Sequence, residues 1–293
     1  MLKVLLRLLF LVLITSQLYS QNKKEKILFI GHAYGSHTAD DKTLDPLFLE
    51  FNSKYGSKYG QIVLGGDFIF DCQDEIEFKN FIKFYRLNTP KLVIGGHDNC
   101  KKIFNLFKDY NEVNFYEKKG QNLFFYLNTN IKSNQEVDLL YDYVINIINM
   151  ELPQNVIIFS HQLIYSESDW YVRTNSRGFY EYGNKFYKKI YSNYYKNKLN
   201  FYLIAGDIGA FPYTPYAFYD NDENFNLLGV GIGNSRHYKA LELELDDDIK
   251  LNFIDLKSGL VEPVNKYSKF KIQIYQFPKL FLSRLKKFLL PTY

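Results

Sequence analysis

Lys91-Leu92-Val93-Ile94-Gly95-Gly96-His97-Asp98-Asn99 is a short apolar run that breaks at two glycines and delivers a His-Asp pair. The run has the length of a buried strand. The glycines let the chain turn sharply at the strand end, so the pair is expected at the carboxyl edge of a sheet, where α/β proteins place their ligands. Four other stretches end in the same way: Ile27 to Ile30 before Gly31-His32, Ile62 to Leu64 before Gly65-Gly66-Asp67, Val156 to Phe159 before Ser160-His161, and Phe201 to Ala205 before Gly206-Asp207. Three of the five histidines of the chain occupy these slots.

Outward from these strands the pattern alternates. Helices are predicted over Leu44 to Phe51, Asp74 to Tyr85, Lys101 to Tyr110, Ser133 to Met150 and Asn184 to Lys198. Ser133 and Glu136 form a capping box for the fourth of these. Lys118-Lys119-Gly120-Gln121 reads as the turn of a hairpin. Gln162 to Gly183 is a long loop with Trp170, Arg173 and Arg177, and Phe211 to Asn224 is aromatic and polar without a period. Phe225 to Gly233, Lys239 to Leu245 and Ile249 to Ile254 read as three closely spaced strands of an antiparallel meander. No repeat and no linker interrupts this order, which predicts one α/β domain over residues 21–265.

The 293 residues are 46% hydrophobic with a net charge of +4, which supports a sizeable core and gives no reason to expect nucleic acid. Residues 1–20 combine Lys3 and Arg7, an apolar segment from Leu8 to Ile14 and a polar end at Ser20, the pattern of a secretory signal peptide. The apolar part is shorter than the roughly 20 residues a spanning helix requires. Export implies an oxidising compartment, where Cys72 and Cys100, each a few residues beyond a site-bearing strand, form a disulfide if those strands are neighbours and otherwise remain two thiols. Within a basic amphipathic tail over residues 266–293, Lys279 to Leu290 alternates Leu and Phe with Lys279, Arg284, Lys286 and Lys287. Such a tail suits peripheral contact with an anionic membrane surface or packing on the domain.

In order and context the five strand ends resemble the calcineurin-like metallophosphoesterases, from Ile27 to about Ile254. The resemblance implies a βαβαβ sandwich of two mixed sheets flanked by helices, with metals at the strand ends. The family motifs are Asp-x-His, Gly-Asp, Gly-Asn-His-Asp or Glu, a lone His, and Gly-His-x-His. Here they correspond to His32-Ala33-Tyr34, Gly66-Asp67, Gly95-Gly96-His97-Asp98, His161 and Gly206-Asp207-Ile208-Gly209. His32 stands for the Asp of the first motif and Tyr34 for its His. Gly96 stands for the Asn, and Asp207 and Gly209 for the two histidines of the last motif.

The resemblance implies metal ligation by Asp67, His161 and Asp207, with His32 at the edge, and one divalent ion (Mn, Fe or Zn) rather than two. It implies that His97 acts as general acid on a leaving oxygen and that Asp98 orients it, so His97 and Asp98 are the expected catalytic pair. The expected function is an exported, secreted or periplasmic phosphoesterase acting on a small phosphorylated substrate, which the Tyr, Trp and Arg of the long loops would suit to a sugar-linked one. The substituted positions point to the alternative, a non-catalytic relative with a binding or assembly role in the cell envelope.

Overall fold

Strand β1 (Glu25–Ile30) pairs in parallel with β2 (Gln61–Gly65), Ile27 opposite Gln61 through Ile30 opposite Leu64. Strand β3 (Lys91–Val93) lies parallel on the far side of β2. Parallel neighbours need crossovers, and helices α1 (Pro46–Tyr55) and α2 (Glu75–Asn88) supply them. Each helix starts at an aspartate cap. Asp45 accepts from the backbone N–H groups of Leu47 and Phe48, and Asp74 from those of Ile76 and Glu77. Pro46 occupies the first turn of α1, where a missing N–H is harmless.

The computed structural model describes residues 25–35, 44–106, 113–165, 172, 174–176, 180–210, 215–233, 238–246 and 248–265. The signal peptide expected over 1–20, the tail at 266–293, and Trp170, Arg173 and Arg177 lie outside the described residues.

The first sheet is completed by β10 (Lys239–Leu245), β11 (Ile249–Asp255) and β12 (Val261–Pro263), in the order β12-β11-β10-β1-β2-β3. The second contains β4 (Phe115–Lys119), β5 (Asn122–Leu127), β6 (Asn155–Ser160), β7 (Asn200–Ala205), β8 (Ala217–Asp222) and β9 (Phe225–Val230), in the order β4-β5-β6-β7-β9-β8. Both are mixed six-stranded sheets. Helices α4 (Asn134–Glu151) and α5 (Glu181–Tyr194) belong to the second sheet, and the short α3 (Lys101–Phe104) follows β3.

The sheets pack face to face. Phe29 of β1 stacks on Phe159 of β6 at 5.4 Å between ring centres, within a core that also holds Ile27, Val63, Phe124, Ile157 and Leu243. The alternate residues of the same strands face the helices. Leu28, Ile30 and Leu64 meet Phe48 and Phe81 of α1 and α2, while Phe125, Ile158 and Leu203 meet Val144 and Ile148 of α4 and Phe186 and Ile190 of α5. Strands covered on both faces read as unbroken apolar runs, which is why the run-then-glycine pattern was visible in the sequence.

Three expectations need correction. Residues 211–224, read without a period, contain β8, an edge strand whose Asp220, Asn221 and Asp222 obscure any alternation. The meander is broken between its first two strands: β9 pairs in parallel with β7 and antiparallel with β8, and only β10 and β11, with β12, run antiparallel in succession in the first sheet. The helix expected over Lys101 to Tyr110 is the one-turn α3, and residues 107–112 lie outside the described residues. Cys72 and Cys100 are disulfide-bonded, with Cα atoms 6.7 Å apart. Among the described residues no helix is long and apolar enough to cross a membrane.

Candidate metal centre

The glycines before the His and Asp slots mark where the two sheets touch. A Cβ on Gly206, after β7, would lie 2.1 Å from the Gly65 carbonyl oxygen and 2.9 Å from the Cα of Gly31, both at strand ends of the other sheet. At Gly66 a Cβ would strike the His161 ring. Only residues without side chains let the carboxyl ends of β1, β2 and β7 come this close. The Ile232 N–H donates to the Gly31 carbonyl and fastens the segment after β9 to the end of β1.

The next residue in each slot therefore points into one seam. His32 and Asp67 both adopt positive φ, 54° and 49°. Among the described residues, the other non-glycine residues of this kind, Thr89, Leu152, Lys196 and Glu223, sit at helix ends or in a turn. Backbone held in this region costs on the order of 1–3 kcal/mol and persists where surrounding contacts impose it.

Asp67, His161 and Asp207 are buried, and one ligand atom from each lies within 4.8 Å of the others. His161 Nε2 is 3.2 Å from Asp67 Oδ2 and 3.7 Å from Asp207 Oδ1. Bonds of about 2.0–2.2 Å to a first-row metal in tetrahedral geometry put neighbouring ligand atoms about 3.3 Å apart, so this trio could hold an ion with little movement. His161 Nδ1 lies 2.9 Å from the Gly65 carbonyl oxygen, which can only accept, so Nδ1 carries the proton and Nε2 faces the carboxylates. His32 is oriented in the same manner, with Nδ1 3.1 Å from the Ile232 carbonyl oxygen and Nε2 3.9 Å from Asp67 Oδ2. A ring nitrogen fixed by a backbone carbonyl is the usual support of a metal-ligating histidine. His32 borders the trio from outside it.

The buried groups of this cluster shift one another's protonation. Burial opposes an imidazolium at His161, but the Asp67 and Asp207 carboxylates outweigh it and push His161 up to about 10. Burial also disfavours an ionised Asp67, yet His161 and His32 beside it hold its carboxyl well below the usual range. Burial moves Asp207 up to about 6 against the pull of His161, and His32 down to about 4 despite the charge of Asp67. Tyr34, whose ring centre is 4.3 Å from that of His32, is pushed far up by burial and the nearby carboxylates, which leaves its phenol protonated and a poor ligand.

Asp98 plays a part other than the expected one. Its Oδ1 accepts from the N–H groups of Phe68 and Ile69, and its Oδ2 from those of Asp67 and Gly95. Burial and the Asp67 charge push Asp98 up. Four N–H donors nevertheless take all its lone-pair positions and leave no place for a carboxyl proton, so the hydrogen bonds hold the charged form. Asp98 therefore positions the Asp67 loop. The His97 ring is oriented by Phe70, whose carbonyl oxygen lies 2.8 Å from its Nδ1. The His97 side chain is exposed, and its backbone N–H donates to Asp67 Oδ1 at 3.0 Å.

Other contributors escaped the sequence reading. The Tyr180 hydroxyl donates to Asp207 Oδ2, and the Ser176 N–H approaches Asp207 Oδ1 at 3.4 Å. Asn130, beyond β5, donates to the carbonyls of Ile94 and Gly95 and accepts from Gln162 Nε2, which couples the His97 turn to the segment after His161. The end of β5 repeats the apolar run, but its Asn128-Thr129-Asn130 lacks the small residue and the His or Asp that marked the other five. Gly209 has φ of 92°, and a Cβ there would lie 2.5 Å from the Gly231 carbonyl oxygen, so this position has no room for a side-chain ligand. No protein-family model and no curated protein matches the chain.

Proposed function

We propose that the chain is a metal-dependent phosphoric ester hydrolase of the sandwich architecture that its motifs resemble, acting outside the cytoplasm on a small phosphorylated substrate. The observation that carries this reading is the Asp67 carboxylate. One oxygen faces Nε2 of both His161 and His32, and the other accepts the His97 N–H. Three strand ends from two sheets thus share one acid.

Asp67, His161 and Asp207 would hold one divalent ion, Mn, Fe or Zn, which when bound supplies Lewis-acid activation of a phosphoryl oxygen and of water. Two carboxylates and a neutral imidazole suit a dication. A second complete ligand set is disfavoured by Gly209, by the open Gly96 and by the protonated Tyr34. His97 is exposed with Nδ1 fixed on the Phe70 carbonyl, so its Nε2 is the atom that gives a proton to the leaving oxygen as the phosphorus–oxygen bond breaks. The same substitutions support the second reading, a non-catalytic binding protein of the cell envelope.

Elemental analysis combined with phosphoester assays tests the proposal. One equivalent of metal is expected in the wild-type protein and none in Asp207→Ala. His97→Ala keeps the metal and loses hydrolysis by about 10²–10⁴-fold, the usual worth of a general acid. Two tightly held ions would give His32 and Tyr34 a larger part. Absence of both metal and hydrolysis would favour the non-catalytic reading.

A further inference from the structure

Phe70 is 43% exposed, although it stands on a firmly tied loop. The N–H groups of Asp67, Phe68 and Ile69 end on Asp98. Those of Phe70 and Asp71 end on the buried carboxylate of Glu77, the Asp74 N–H reaches the Asp71 carbonyl, and Cys72 is bonded to Cys100. This loop does not fold Phe70 into the apolar cluster beneath it, where its neighbours Phe68 and Ile69 are fully enclosed.

Instead the Phe70 ring lies 5.0 Å from the His97 ring at 26°, and the Tyr34 ring meets it edge-on at 5.4 Å. Beside His97, the Cβ position of Gly96 has no atom within 4 Å. An aromatic wall on a rigid support, next to open space and to the group that would protonate a leaving oxygen, is a preformed surface for a flat ring.

We propose that Phe70, together with His97, stacks the leaving group, and that the substrate class is phosphoric esters whose leaving group carries a planar aromatic ring. This rests on the phosphoesterase reading above and narrows its substrate. The test is calorimetric titration of the Mn²⁺-loaded protein with phenylphosphonate and with ethylphosphonate, neither of which can be hydrolysed as an ester.

The wild type is expected to favour phenylphosphonate by about tenfold, the scale of one aromatic stacking contact. In Phe70→Ala and in Phe70→Leu that ratio falls to near one. Phe70→Leu keeps apolar bulk under the His97 ring, and thermal melting with metal stoichiometry identifies a variant that has merely lost its fold. Equal binding of both phosphonates by the wild type, or a preference that survives in Phe70→Leu, overturns the stacking proposal and leaves the phosphoesterase reading standing. Binding of neither phosphonate to metal-loaded protein overturns both.

Discussion

His161 sits between two carboxylates, and without metal the natural occupant of that position is a proton. Its affinity for that proton is raised from the ordinary 6.5 to about 10. A group raised on folding stabilises the fold fully below its unfolded value and loses that contribution as pH rises through its folded value. The metal-free protein should thus lose this contribution between about 6.5 and about 10. A metal ion competes for the same Nε2, and its ligands must be deprotonated. Uptake of one equivalent of Zn²⁺ at about pH 8 should release about one proton, and affinity should rise with pH. A titration in weak buffer with a pH indicator measures this directly. Uptake without proton release would mean that His161 is not a ligand.

At the scale of elements, the loop between β2 and α2 carries Asp67, and the disulfide closes it against the turn after β3. The two cysteines are 28 positions apart. Chain-entropy reasoning assigns such a link about 3.5 kcal/mol of stability. Replacing Cys72 and Cys100 together by Ser should lower the denaturant midpoint accordingly, and a shift below about 1 kcal/mol would show that Asp98 and Glu77 hold the loop unaided.

The same loop shows what the sequence discloses and what it hides. An apolar run, a small residue and a His or Asp form a local signal, because burial on both faces and a close approach at the strand end each leave their mark within a few residues. Asp98 is hidden because its partners are backbone N–H groups around residues 67–69, which have no signature in side-chain identity. Asn130 is hidden for a similar reason: it holds two carbonyls. The change of sheet between β9 and β10 is hidden too, since a strand covered on both faces reads alike in either sheet.

Across the whole molecule the two sheets come into close backbone contact where Gly206 faces Gly31 and Gly65. Gly206→Ala places a carbon 2.1 Å from a backbone oxygen that cannot swing aside, so the sheets must separate locally. Overpacking of this kind costs typically 1–3 kcal/mol, and the upper end is expected here. Gly96→Ala, where the added carbon meets nothing within 4 Å, should stay within about 1 kcal/mol of wild type or gain slightly from a stiffer unfolded chain. Chemical denaturation of the two variants side by side checks the contrast. Equal losses would mean that the seam yields more easily than its backbone contacts imply.

Asp67 follows a strand of the first sheet, while His161 and Asp207 follow strands of the second. A cation held by all three spans the seam, and it can do so only once the two halves of the chain have found each other. Capture of the ion then comes after the main folding barrier, and its binding energy deepens the native well without lowering the climb towards it. Metal in the buffer should leave the refolding rate where it was and slow unfolding, so that the loaded protein is long-lived more than it is quick to form.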